Sequence, residues 1–313
     1  MFSSLAVVLE QPERLALTCL AVDAPTSGDV VVETEWSGIS TGTERLLYTG
    51  RMPEFPGMGY PLVPGYESVG TVVEAGPDAG LAVGAKVFVP GARCFGPVRG
   101  LFGGAASHLV APASRLIPVS ASLGDKAVLL ALAATAFHAR ARMAQGAADL
   151  IVGHGVLGRL LARLAVAEGG KPPVVWEKNP ARAGGAVGYE VMAPEDDSRR
   201  DYRTIFDVSG DPGILDTLVQ RLAPGGEIVL AGFYDSLTFQ FAPAFMREAR
   251  IRVAAQWRDG DLNEVNELVE NGRLSLDGLI THHRPAAEAA KAYPTAFGDP
   301  TCLKMVLDWR SAS

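Results

Sequence analysis

The chain is short of cysteine, of positive charge and of long apolar runs, and each shortage excludes something. Cys19, Cys94 and Cys302 are the three cysteines in 313 residues. They are odd in number and far apart, so a secreted disulfide framework is not expected and a reducing, cytoplasmic setting is. Lysine and arginine total 28 against 35 acidic residues, a formal net charge of −7. Nucleic-acid binders present a basic face, so no nucleic-acid partner is expected. No apolar run reaches the roughly 18 residues that a membrane-crossing helix requires, so no transmembrane segment is expected. The opening stretch MFSSLAVVLEQPERL has no basic region and carries acids early. It reads as a first strand and turn, not as a signal peptide.

What is present is a globular composition, 48% hydrophobic and 20% charged, long enough for two modest domains. The first third holds β-branched runs broken by Gly and Pro, such as 29–35, 69–74 and 85–90. Short strands at this spacing predict a barrel-like β domain. Residues 125–144 turn Ala/Leu-rich and helical in pattern. Strand and helix then alternate: strands at 149–152, 174–177, 205–208, 227–231 and 251–257, and helices at 156–168, 213–222 and 261–271, the last stopped by Gly272. Such alternation implies βαβ units and a parallel sheet. The expected class is α/β: a β-barrel-type domain from 1–120 plus 258–313, and a Rossmann dinucleotide-binding domain from 121–257.

Gly153-His154-Gly155-Val156-Leu157-Gly158 fits G-x-G-x-x-G. The pattern alone is weak, but here it follows an apolar strand and opens an amphipathic helix. Gly153 permits a tight turn, Gly155 lets the backbone approach a pyrophosphate, and Gly158 lets the helix pack on the sheet. The free N–H groups at Val156 and Leu157 face the phosphates. Glu177 ends the next strand, 19 residues after Gly158. Its carboxylate suits an adenosine ribose and repels a 2′-phosphate, which favours NAD over NADP. Lys178 and Arg182 pull the other way, since cations tolerate the extra phosphate. Ser209, Gly210, Gly232 and Phe233 follow later strands at the same sheet edge, where ligands bind.

The order of β domain, Rossmann domain and return to the β domain resembles the medium-chain dehydrogenase/reductase superfamily, with a GroES-like catalytic domain. Ser37-Gly38-Ile39-Ser40-Thr41-Gly42-Thr43-Glu44 is similar to the segment carrying the first catalytic zinc ligand in zinc-containing members. Pro61-Leu62-Val63-Pro64-Gly65-Tyr66-Glu67 is similar to the segment carrying the second, and 132–139 to the helix that runs past the nicotinamide. Ser40 or Thr41 stands where those enzymes have Cys, and Tyr66 where they have His. The helix lacks a third ligand, and Cys94 stands alone where a structural zinc needs four cysteines. Neither zinc is therefore expected. His282 and His283 are adjacent in a strand and point to opposite faces, which argues against a metal site there. At the matched positions Ser40, Thr43, Tyr66, Glu67 and His138 are the candidates for proton handling. Tyr66 either polarises a carbonyl, relays a proton or simply packs; Thr43 relays a proton or makes a local turn bond. Glu67 is alternatively structural, His138 alternatively a core histidine. The resemblance places Thr135 near the nicotinamide.

A narrower resemblance spans the whole chain. The start 6–15, the Ser40-Thr41-Gly42-Thr43-Glu44-Arg45 motif and the end 304–309 are similar to the bacteriochlorophyllide dehydrogenases of phototrophic bacteria. That resemblance implies NAD-dependent oxidation of a 3-(1-hydroxyethyl) group to 3-acetyl on a chlorin or bacteriochlorin. The loop 48–60, with Met52, Phe55 and Met58, suits a flat macrocycle, and Arg45 or Arg51 suits its propionate. The alternative is a loop packed on the β domain with solvated arginines. Rival readings are a zinc-free reductase of quinones, enones or sugars, and a non-catalytic NAD(H)-binding regulator. The apolar strand at 251–257 is expected at a sheet edge, where it invites homodimerisation or is covered by the chain's own loops.

Overall fold

The computed structural model describes residues 3–140, 148–234 and 236–312. It divides into two compact units, Met1–Ala131 with Leu279–Ser313, and Leu132–Gly278. Among the described residues no helix is long and apolar enough to cross a membrane.

The first unit is built on two sheets. In the larger one, Asp29–Ile39 is flanked by Ser68–Ala75 and by Met305–Asp308, and His108–Pro112 pairs along its first half. In the smaller, Ser3–Gln11 lies between Arg14–Ala21 and Leu62–Val63. Val30, Val31 and Val32 are all fully buried. Packing both faces of this strand explains why its sequence reads as a continuous apolar run.

The second unit carries six parallel strands: Leu150–Val152, Val174–Trp176, Glu190–Met192, Tyr202–Asp207, Leu222–Leu230 and Arg250–Val253. Numbered from the N-terminus they run 3-2-1-4-5-6 across the sheet. That is the dinucleotide-binding order, and the reversal between the first and fourth strands opens a crevice at their carboxyl ends.

The boundaries differ from those expected. Helix Asp261–Glu270 belongs to the parallel-sheet unit, not to the returning segment. Its Leu262, Val265 and Val269 are buried. Asp261 lies 3.0 Å from His138 Nδ1, and Arg163 donates to the Ser275 carbonyl at 2.8 Å, so the chain stays tied to this unit up to Gly278. At the other boundary, Ala121–Leu129 is a 3-10 segment packed on the Asp29–Ile39 and Ser68–Ala75 strands of the first unit. The regular helix runs over Leu130–Arg140; the remainder of the expected helix lies outside the described residues. The last strand of the parallel sheet is Arg250–Val253, shorter than expected, and it does form an edge.

Candidate active site

Three hydroxyls meet in the first unit. Strand Asp29–Ile39 delivers Ser40 at its end, helix Thr43–Thr49 starts with Thr43, and Tyr66 precedes strand Ser68–Ala75. The Tyr66 hydroxyl is 2.6 Å from Ser40 Oγ and 3.4 Å from Thr43 Oγ1. Its ring is half-buried and meets Phe102 edge-on, centroids 5.5 Å apart. Burial, and then the charge of Glu67, push the Tyr66 phenol upward. It therefore stays protonated at neutral pH and acts through hydrogen bonds, not as a phenolate.

Behind these hydroxyls lie two buried carboxylates. Glu67 accepts a hydrogen bond from Lys304 Nζ at 2.6 Å, and Lys304 also donates to the Ile39 carbonyl at 3.2 Å. Both side chains are almost wholly shielded from water. Burial raises the Glu67 pKa and the Lys304 charge opposes the rise. Of the two roles open to Glu67 this favours the structural one: its carboxylate is held by an ammonium group inside the fold. Gly38 makes this possible, because a Cβ there would sit 2.2 Å from Glu67 Oε2. Glu44 accepts from the Ser40 backbone N–H at 2.9 Å and from the Tyr293 hydroxyl at 2.7 Å. Burial lifts its pKa from 4.5 to about 7, against the pull of those two hydrogen bonds. Glu44, Tyr293 and Lys304 were not anticipated as site residues. Glu44 and Lys304 fall in the motifs quoted for the resemblance, but nothing local says that they converge on this site.

The other candidates are more dispersed. Arg45 is exposed on its helix; Arg51 is exposed too, its Nε 3.3 Å from Thr49 Oγ1. Phe55 is 37% exposed. Met52 and Met58 are half-buried against the cluster of Leu9, Leu47, Leu62 and Leu101, so they form the base of the loop, not its outer face. In the second unit His138 is buried and tied to Asp261. This favours the core-histidine alternative: His138 fastens one helix of this unit to another. Thr135 is half-buried on the Leu130–Arg140 helix.

The glycine turn has the geometry of a diphosphate cradle. Gly153 has φ +105°, and a Cβ there would lie 3.2 Å from Ser209 Cα. This puts the turns after the first and fourth strands side by side at the order reversal. A Cβ on Gly158 would strike the Gly153 carbonyl at 1.9 Å, whereas one on Gly155 would meet nothing within 4 Å. Gly155 caps helix Val156–Ala167 without any side-chain partner, which leaves the first N–H groups for an anion. Glu177 accepts from the backbone N–H of His154 at 3.0 Å and of Asn179 at 2.8 Å. Lys178 is exposed and 3.4 Å from Asp211. Ser209 donates to Asp207 at 2.7 Å, Gly210 has φ +70°, Gly232 lies against Tyr234, and Phe233 is 49% exposed. These residues fit a dinucleotide: Gly155, Val156 and Leu157 for the diphosphate, Glu177 for the adenosine ribose.

The hydroxyls of Ser40, Thr43 and Tyr66 do not fit a zinc ion, which takes thiolate, imidazole or carboxylate ligands. The Glu44 and Glu67 carboxylates behind them are engaged by the Ser40 N–H, Tyr293 and Lys304. Among the described residues no three His, Cys, Asp or Glu side chains cluster as metal ligands. His282 and His283 diverge, to Asp299 at 3.7 Å and to Asp125 at 2.6 Å. Cys94 is buried, its sulfur 3.5 Å from the Val110 N–H.

The family profile described as the alcohol dehydrogenase GroES-like domain matches residues 26–121. The fold aligns with a solved Escherichia coli CFT073 alcohol dehydrogenase in complex with NADH, at 21% identity over 98% of this chain and 99% of that one, with a TM-score of 0.82. The GroES-like domain, the parallel sheet and the glycine turn together define a medium-chain dehydrogenase/reductase, an oxidoreductase class. Two proteins called 2-desacetyl-2-hydroxyethyl bacteriochlorophyllide A dehydrogenase, from Rhodobacter capsulatus and Cereibacter sphaeroides, are each 59% identical to it, over 98% of this chain and 98% and 99% of their own lengths. This chain belongs to their family.

Proposed function

We propose that the chain oxidises the hydroxyethyl group of a chlorophyllide or bacteriochlorophyllide to acetyl, with NAD and without zinc. The observation that carries the reading is the Tyr66–Ser40 bond of 2.6 Å, in a chain 59% identical to the two relatives. Hydroxyls stand there at the positions matched to zinc ligands. A bound NAD, held by Gly155, Val156, Leu157 and Glu177, would supply the acceptor for the hydride of the carbinol carbon. Tyr66 accepts the hydrogen bond of the substrate hydroxyl and passes its own proton to Thr43. Thr43 is partly exposed and hands a proton on to solvent, while the buried Ser40 hydroxyl orients the phenol. Glu177 takes the ribose hydroxyls and disfavours a 2′-phosphate. Lys178 turns to Asp211, which weakens the case for NADP. Arg45 and Arg51 are free of burial and suit the propionate of a tetrapyrrole, with Phe55 against its ring face. The free cysteines are consistent with a cytoplasmic location.

The edge strand Arg250–Val253 supports a homodimer. Val253 is 74% exposed, and Phe241, Phe245 and Met246 beside it are also exposed. Such an edge is closed by pairing with its twin; light scattering that returns a monomer removes this part of the reading.

The function is tested by incubating pure protein with a 3-(1-hydroxyethyl) chlorin and NAD⁺ and following the red absorption band. The expected result is a shift of that band matched mole for mole by NADH. No shift with either chlorin or bacteriochlorin, while simple alcohols are oxidised, overturns the substrate. A shift only with NADP⁺ overturns the cofactor.

A further inference from the structure

Behind the glycine turn lies a polar network that diphosphate binding does not require. His154, between the first two glycines, is fully buried. Its Nδ1 is 2.6 Å from the Arg182 carbonyl and therefore carries the proton. Its Nε2 then accepts from the Tyr189 hydroxyl at 2.8 Å, the two rings meeting edge-on. Burial holds the imidazole down, to about 4, so it is neutral at working pH. Arg159, near the start of the following helix, is 4% exposed. Its Nε donates to the His154 carbonyl at 3.1 Å, and one Nη donates to the Arg182 and Gly184 carbonyls at 2.9 and 2.7 Å. Gly185, at φ +83°, leaves the space: a Cβ there would lie 2.3 Å from the guanidinium. Two buried side chains thus clip the segment 182–189 to the glycine turn. The same turn holds Glu177 through the His154 backbone N–H.

We propose that His154 and Arg159 are positioning residues for cofactor selectivity, fixing Glu177 and the segment after it so that the carboxylate meets the ribose hydroxyls of NAD and opposes a 2′-phosphate. The proposal rests on the NAD reading above. With the clip released, the turn whose His154 N–H holds Glu177 loosens against the ribose, and the segment bearing Arg182, no longer pinned through its carbonyl, shifts toward the site of a 2′-phosphate. Selectivity is then lost from both sides.

The test is calorimetric titration of the full-length protein with NAD⁺ and, separately, NADP⁺, which needs no turnover. The wild type is expected to prefer NAD⁺. Arg159→Met and His154→Ala are each expected to lose about tenfold in NAD⁺ affinity, the worth of one charge-assisted hydrogen bond from a ribose hydroxyl to the Glu177 carboxylate, with NADP⁺ binding unchanged or tighter. His154→Gln keeps a donor and is expected to restore most of the preference. Arg159→Lys serves the same comparison if the Met variant does not fold. Variants that weaken both dinucleotides equally, or leave the ratio untouched, overturn the clip while the cofactor reading stands. A wild type without preference for NAD⁺ overturns the cofactor reading and the clip with it.

Discussion

Replacing Glu44 by Gln should change the pH dependence of stability in a calculable way. Glu44 is fully buried, and its pKa rises from 4.5 to about 7 chiefly because burial penalises the charged form. A pKa raised on folding means that the folded state holds the proton more tightly than the unfolded chain does. Its stabilising contribution is complete below pH 4.5 and is lost as pH climbs through about 7. At about 1.4 kcal/mol per pH unit, the loss amounts to about 3 kcal/mol. Gln is neutral throughout and still accepts from the Ser40 N–H, so it has no such loss. Urea unfolding of both proteins at pH 5 and pH 8 measures the difference. Relative to the wild type, the variant should gain about 2–3 kcal/mol between the two pH values, part of the contribution being already lost at pH 5. An unchanged difference would refute the claim that folding raises the Glu44 pKa, and with it the assignment of burial as the dominant influence.

Tyr66→Phe removes the hydroxyl bonded to Ser40 and should lower kcat by about a hundredfold, at the low end for general acid–base groups, with NAD⁺ affinity unchanged by titration; equal kcat would take Tyr66 out of the mechanism. Lys304→Met strands the buried Glu67 carboxylate and should destabilise the first unit by about 3–5 kcal/mol. Adding Glu67→Gln to that variant should recover much of the loss, and urea midpoints that fail to recover would show that the pair's geometry is not what matters.

The parallel-sheet unit was readable because its central strands are buried on both faces and appear as short apolar runs. Leu150–Val152 and its glycine turn are the clearest case. Glu190–Met192 was missed: it is a three-residue strand with a charged residue and a single β-branched one, and only its place beside Val174–Trp176 makes it a strand. Helix Asp261–Glu270 was recognised as a helix, but its attachment was not, since the residues that fix it are the distant His138 and the packing of its apolar face. At the site, Ser40, Thr43 and Tyr66 were readable as a set because resemblance marks their positions, and they do lie within hydrogen-bonding reach of one another. The layer beneath was not readable. Glu67 and Lys304 are 237 residues apart, and Glu44 and Tyr293 are 249 apart. Such pairings are tertiary facts with no local periodicity to announce them. Met52 and Met58 fall on the other side of an alternative that the sequence left open. Their softness suggested a ligand face, but hydrophobic burial gave them to the domain's own leucines.

The first unit is assembled from both ends of the chain, with the whole of Leu132–Gly278 inserted between them. During synthesis Glu67 therefore leaves the ribosome long before its counter-ion exists, and the strand Met305–Asp308 reaches the Asp29–Ile39 ribbon last. The inserted unit, contiguous in sequence, is free to fold in the meantime, as domains do during translation. Closure of the buried Glu67–Lys304 pair is thereby deferred until the returning segment is made, so that segment acts as the fastener of the first unit.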